Sequence, residues 1–282
     1  MLPLASFTAV LAAALANAPL MQTPPSADTP PGRLVRTNLP EAPELLPEIS
    51  ATPGPCATQE AADSSSGTAL RDFDESALPD ADSAANKQTR ARLRARARFA
   101  SHFGKPIFIR IIKEEFKLEL WGRDGDTWTR LKTYDIAGMS GEPGPKTREG
   151  DCQAPEGFYG TTLRDLNPHS SYHLSFNIGY PNAYDRRLGR TGSLIMIHGS
   201  DCSIGCFAMT DPGIEEIYGM VEAALRNGQE RVAVQIYPFA MTPERMEAEK
   251  DSPHYAFWQY LRPGWEHTEQ QHAPYDAESG SN

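Results

Sequence analysis

Residues 193–211 read SLIMIHGSDCSIGCFAMTD. The apolar run Leu194-Ile195-Met196-Ile197 ends on His198-Gly199, which fits a buried strand with an imidazole at its end. Cys206 follows, preceded by Ser203-Ile204-Gly205, so the intervening loop returns a thiol toward that imidazole. A Cys and a His within hydrogen-bond reach form a thiolate–imidazolium pair, an activated nucleophile. Gly205 places no side chain beside the sulfur, which opens it to a substrate carbonyl and lets backbone N–H groups face a developing oxyanion. The same residues also fit a disulfide or a metal site. Zinc sites gather ligands in two clusters of CxxC-like spacing. Here Cys202 and Cys206 enclose three residues, with one nearby His and no second cluster. Catalysis and a structural role stand level on this pattern, with metal behind both.

Downstream, Asp211-Pro212-Gly213 opens a helix, with Asp211 read as its cap rather than as an acid or base. Ile214, Ile217, Tyr218, Val221 and Leu225 line one face, and Gly228 ends it. Val232–Tyr237 reads as a strand that closes the core, and residues 243–262 read as helix. Upstream, Pro106–Ile112 and Phe116–Trp121 read as a hairpin, with Trp128–Ile136 as a third strand. The Gly/Pro-rich stretch 140–159 is long enough to be a functional loop. Residues 171–177 read as another strand, followed by a polar loop over 179–190. On that strand Tyr172 and His173 would face opposite sides, one of them lining a cleft. Arg187 and Arg190, just before the central strand, could grip a substrate carboxylate. Loop salt bridges are the alternative for both, and for Lys146. The whole is β-dominated α+β.

The chain has 282 residues and a net charge of -10, which argues against nucleic acid as a partner. Residues 1–20 are apolar and end in small residues, so 1–18 reads as a signal peptide, although no Lys or Arg precedes the apolar run. Residues 19–86 are rich in Pro, Ala, Ser and Asp, and too poor in apolar side chains to order themselves; they read as a linker. Residues 87–103 are basic, Ala-rich and helix-favouring. The arginines of 87–98 suit an anionic envelope surface, or else a solvated helix that packs Leu93, Phe99 and Phe103 on the domain. A folded domain follows over 104–240, then a helical extension over 241–272 and a disordered tail over 273–282. Cysteines stand at 56, 152, 202 and 206. Export to an oxidising compartment makes a bridge plausible, and Cys152 and Cys202 sit in loops that should converge, so they are the expected pair.

With these elements in place, the pattern His198-Gly199, then Ser203-x-Gly205-Cys206-Phe-Ala-Met-Thr-Asp211, resembles the YkuD-type L,D-transpeptidase catalytic domain, and its YafK-like branch in particular. GPK at 144–146, PEGFY at 155–159, LNPHSSYHLSFNIGYPNAYD at 166–185 and GRTGS at 189–193 carry the same resemblance. It covers about residues 105 to 240. The resemblance implies a periplasmic, wall-facing enzyme acting on peptidoglycan stem peptides without metal or organic cofactor. Cys206 maps to the nucleophile and His198 to the base, with Ser203 and Gly205 matching the motif and Gly199 flanking the base. The broader family carries a second His where Ile204 stands here, and the YafK-like branch shares its absence. Members of that branch are linked to releasing a lipoprotein from the stem peptide, so both crosslinking and hydrolysis are implied. A wall-binding protein with a degenerate site is the competing class, motivated by Ile204 alone.

Overall fold

Ile107–Ile112, strand β1, reads IFIRII and is buried along its whole length. Its side chains alternate between two faces. Ile107, Ile109 and Ile111 enter a core with Ile214, Ile217 and Val221 of helix α3 (Asp211–Arg226). Ile112 instead joins Trp258, Leu261 and Trp265 of helix α5 (Tyr255–Gln271). A strand that feeds two apolar layers belongs in the middle of its sheet. The neighbours bear this out. β1 pairs antiparallel with β2 (Lys117–Asp124) and parallel with β9 (Val232–Tyr237). β3 (Thr127–Asp135) and β4 (Gly157–Thr161) form the edges, giving the order β3-β2-β1-β9-β4. The computed structural model describes residues 74–277. The expected signal peptide, residues 19–73 of the linker, Cys56 and the end of the tail lie outside the described residues.

A second, smaller sheet carries the site. Its strands are β5 (Leu166–Asn167), β6 (Ser175–Asn177), β7 (Met196–His198) and β8 (Phe207–Ala208), in the order β5-β6-β7-β8. β7 and β8 are parallel, with His198 opposite Ala208. Parallel neighbours normally need a crossover of a dozen or more residues. The loop 199–206 manages with fewer because both strands are very short, and because the backbone turns left-handed at Ser200 (φ 64°) and Gly205 (φ 77°).

The helices differ from the sequence reading in instructive ways. α1 runs Ala84–Arg98, capped by the Ser83 hydroxyl, which accepts the Asn86 N–H. It lies against α3, and its arginines are spent there. Arg92 pairs with Glu222, Arg90 with Glu215, and Arg94 with Glu215 and Glu75. Three of the five arginines that could have met an outside anionic surface are therefore paired with carboxylates of the protein itself. Phe99 is buried, as the packing alternative has it, but Leu93 is exposed. A short helix α2 (Ala183–Arg187), with reciprocal Asn182–Asp185 capping, stands in the expected polar loop. α3 is capped by Thr210, whose hydroxyl accepts the Gly213 N–H, rather than by Asp211. The expected helix over 243–262 divides into α4 (Pro243–Ala248) and α5, and α5 continues past Pro263. Burial of Trp265 and Thr268 outweighs the hydrogen bond that Pro263 removes. The strand expected over 171–177 exists only at Ser175–Asn177, because His173 has φ 66°, which no strand residue adopts. The architecture is α+β with the sheets at its centre.

Candidate active site

His198 ends β7 and is buried. Its Nδ1 lies 2.6 Å from the Gly199 carbonyl oxygen. A carbonyl can only accept, so Nδ1 carries the proton and Nε2 is the acceptor. Nε2 lies 3.1 Å from Ser203 Oγ. The Ser203 hydroxyl is also near enough to Cys206 to favour its thiolate. Ser203 Oγ is thus bonded to the imidazole and lies beside the cysteine on the same cleft. Cys206 Sγ also accepts the Met196 N–H at 3.3 Å and sits 3.6 Å from the Leu194 carbonyl.

Burial disfavours the charged form of both groups. Burial pushes the Cys206 thiol above its ordinary value; the Met196 N–H, the nearby Ser203 hydroxyl and the positive charge of Lys146 offset only part of this. Burial likewise pushes the His198 imidazole down, against the opposing bond to Gly199. Both shifts run against the ion pair expected from the sequence.

Cys206, Ser203 and His198 open onto one cleft of about 580 Å³, which Asn167, His169, Ser170, Tyr172, Leu194, Met196, Cys202 and Ile204 also line. Tyr172 is 53% exposed, with its ring centroid 4.9 Å from that of His198. Leu194 and Ile204, 67% and 65% exposed, make the rim apolar. A second cavity of about 520 Å³ lies on the far face of the main sheet. Arg110, Glu119, Arg130 and Glu269 already satisfy one another there, and no nucleophile lines it.

The other sequence candidates sort cleanly. His173 does not line the cleft; its Nε2 lies 2.9 Å from Glu215. Lys146 is buried, with Nζ 2.6 Å from Asp151 and 2.9 Å from the Arg148 carbonyl, so it is no substrate grip, although its charge reaches Cys206. Arg190 binds the buried Asp185 at 2.8 Å, and Arg187 lies over the Tyr184 ring. Neither lines the cleft. The expected Cys152–Cys202 bridge is not formed. Cys202 is an exposed free thiol on the cleft, while the Cys152 sulfur lies 3.9 Å from the Gly150 carbonyl. Gly205 is needed for its backbone more than for space: a Cβ there would meet nothing closer than 3.5 Å, but φ is 77°. Its N–H is taken by Ser140 Oγ at 2.8 Å, so it is not open to an oxyanion.

Sequence reasoning missed Ser140 and Glu215. Ser140 opens the long Gly/Pro loop and ties it to the cysteine loop, donating to the Cys152 carbonyl while accepting from Gly205. Its place at the head of a loop already marked as functional was the available signal. Glu215 looked like an outward position of an amphipathic helix, yet it is buried under α1.

The family model for the YkuD L,D-transpeptidase catalytic domain matches residues 106–236, which span β1 to β9 and include the whole cleft apparatus of Cys206, Ser203 and His198. Proteins of Escherichia coli strains K12 and O157:H7, each named "Putative L,D-transpeptidase YafK", are 47% identical over 171 residues, covering 61% of this chain and 70% of theirs. Among solved structures, the helical cell shape determining protein Pgp2 of Campylobacter jejuni is 19% identical, with 66% of each chain covered and a TM-score of 0.39. Bd1075 of Bdellovibrio bacteriovorus is 21% identical, covering 60% of this chain and 61% of its own, with a TM-score of 0.34. A match of that extent with the YafK proteins, and a model match that encloses the two sheets and the loop between β7 and β8, place this chain in the YkuD family of L,D-transpeptidase catalytic domains.

Proposed function

We propose that the chain is a cysteine acyltransferase of the cell envelope that acts on peptidoglycan stem peptides. Membership of an L,D-transpeptidase family supports the reaction class. The observation that carries the assignment of residues is the convergence of Cys206, Ser203 and His198 in one open cleft. In this reading Cys206 Sγ attacks the carbonyl on the L-centre of a diaminopimelate residue. Its proton passes to Ser203 Oγ as the Ser203 proton passes to His198 Nε2. Negative charge builds on the carbonyl oxygen and is met by the Cys206 N–H. The C–N bond then breaks, the leaving amine takes the proton from Nε2, and a thioester remains on Cys206. An amine acceptor that attacks the thioester gives a new peptide bond; water gives a free acid. The Gly199 carbonyl holds Nδ1–H throughout and steadies the imidazolium that forms in between.

An exported, wall-facing protein fits this chemistry, with residues 1–18 as the leader and 19–86 as a tether. Mass spectrometry of muropeptides tests the reading. Purified protein, tetrapeptide muropeptides and an amine acceptor should give exchanged product. Loss of a peptide adduct, or conversion to free acid, would assign the protein to hydrolysis instead. Binding without any change, in wild type as in Cys206→Ala, would make it a wall-binding protein and end the enzyme reading.

A further inference from the structure

We propose that α1, which lies before the stretch matched by the family model, is a working part of the site: it positions His198 through Glu215 and His173. The inference rests on the assignment of His198 as the base. The chain of contacts is continuous. Arg90 Nε donates to Glu215 Oε1 at 2.8 Å, and Arg94 Nε lies 2.5 Å from Glu215 Oε2. Glu215 is 1% exposed and lies 2.9 Å from His173 Nε2. Asp211, one turn earlier on α3, faces the other ring nitrogen at 3.8 Å and accepts the Ser200 N–H at 2.8 Å. The imidazole of His173 is thus bonded to Glu215 and faces Asp211, both on one helix.

That contact acts on the site through the backbone. His173 holds a left-handed φ of 66°, a strained conformation for a residue with a ring. The carbonyls on either side of it, of Tyr172 and Leu174, both accept the Gly199 N–H, at 3.0 and 3.1 Å. Gly199 is the residue whose carbonyl fixes His198 Nδ1. The Tyr172 ring, next in the chain to His173, packs against the His198 ring. The orientation of His198 therefore depends on where His173 sits. Lys87 of α1 adds a contact of 3.5 Å to the Ser170 carbonyl on the cleft wall.

Two features show that the arrangement is more than general packing. Burial alone would raise the Glu215 carboxyl, but hydrogen bonds from His173 and Arg90 and the charges of Arg90 and Arg94 hold it below the usual carboxylate range. It is therefore a fixed anion, and an anion that has lost its arginines would leave His173 or draw in water. The pair Arg92–Glu222, between the same two helices, has the same chemistry but touches nothing on the cleft. It is the matched control.

The experiment uses the full chain with Arg90→Ala, Glu215→Gln, His173→Ala, His173→Gln, Arg92→Ala and His198→Ala. Two quantities are read: the iodoacetamide alkylation rate of Cys206, mapped by mass spectrometry apart from Cys152 and Cys202, and kcat and KM on a tetrapeptide muropeptide. Arg90→Ala and Glu215→Gln should lose roughly tenfold in kcat with little change in KM, the size expected of a small misplacement of a catalytic group. Their Cys206 alkylation rates should move toward that of His198→Ala. His173→Gln, which can still donate to Glu215, should recover most of what His173→Ala loses. Arg92→Ala should leave both quantities at wild-type values. Arg90→Ala behaving as Arg92→Ala in both readouts overturns the proposal, even if Glu215→Gln fails to fold. A wild type without turnover would refute the proposed function, and the alkylation rates would still decide this proposal.

Discussion

Ser203→Ala isolates the step on which the chemistry turns. In the proposed reaction a proton must cross from Cys206 Sγ to His198 Nε2 as the sulfur attacks, since burial favours the neutral form of both groups. The Ser203 hydroxyl, 3.1 Å from Nε2 and near enough to Cys206 to favour its thiolate, is the proposed carrier. In the transition state the imidazole becomes cationic, and the hydroxyl then makes hydrogen bonds to charged groups, worth about 1.5–3 kcal/mol each. At about 1.4 kcal/mol per factor of ten, removing the hydroxyl should lower kcat/KM roughly 10- to 150-fold. A water that takes its place would pull the effect toward the lower end. The assay is steady-state turnover of a tetrapeptide muropeptide, with thermal unfolding as a check. Ser203→Thr keeps the hydroxyl and should stay within a few-fold of wild type. Ser203 sits in a loop and fills no core, so the melting temperature should hardly move. Wild-type kcat/KM in Ser203→Ala would refute the relay and require direct contact between thiol and imidazole.

Three other consequences can be measured directly. Alkylation of Cys206 should rise with pH through an inflection above that of an ordinary thiol, about 8.5, because burial raises it. The acid limb of kcat/KM should fall below the ordinary imidazole value of about 6.5, because burial lowers His198; an inflection of Cys206 on the acid side of an ordinary thiol would instead mean an ion pair at rest. Lys113→Met should cost about 3–5 kcal/mol, since it leaves the carboxylate of Glu156 buried without its partner at 2.9 Å. It also frees the Glu142, Gly144 and Ala154 carbonyls that Nζ ties together. The melting temperature should drop by at least roughly 6 °C, and an unchanged value would discount the staple. Gly199→Ala puts a Cβ 2.6 Å from Asp211 Oδ1 and 2.8 Å from the Tyr172 carbonyl, so it should cost about 1–3 kcal/mol in chemical denaturation and most of the turnover. Full activity in that variant would mean that Gly199 can move without disturbing His198.

Local periodicity was enough to find the main sheet. β1, β2, β3 and β9 are short apolar or alternating runs bounded by Gly, Asp and Pro, and such runs have few other options. The motif at 198–206 was legible because a strand ending in His and a Gly-Cys turn put chemistry at fixed places in the chain. The failures share one cause, which is long-range pairing. Nothing near Glu215 announces that Arg90 and Arg94, over a hundred residues earlier, will cover it. Nothing near His173 shows that two carboxylates of α3 will hold it away from the cleft in a left-handed conformation, and the alternating pattern at 171–177 pointed to a strand instead. Lys146, Arg187 and Arg190 stayed open between substrate grip and loop salt bridge, because a charged side chain in a loop carries no mark of whether its partner is a ligand, a ring or a buried Asp. The direction of the Cys206 and His198 shifts was equally hidden, since burial sets it and burial is a property of the fold.

The most direct test is trapping of the covalent intermediate. Wild-type protein mixed with a diaminopimelate-containing tetrapeptide muropeptide and quenched in acid should gain the mass of the acyl group less the leaving D-residue, as a thioester that hydroxylamine removes. Peptide mapping should place the adduct on Cys206. The account predicts that adduct in wild type and its absence in Cys206→Ala. Turnover that persists in Cys206→Ala, or an adduct mapped to Cys152 or Cys202, would contradict it.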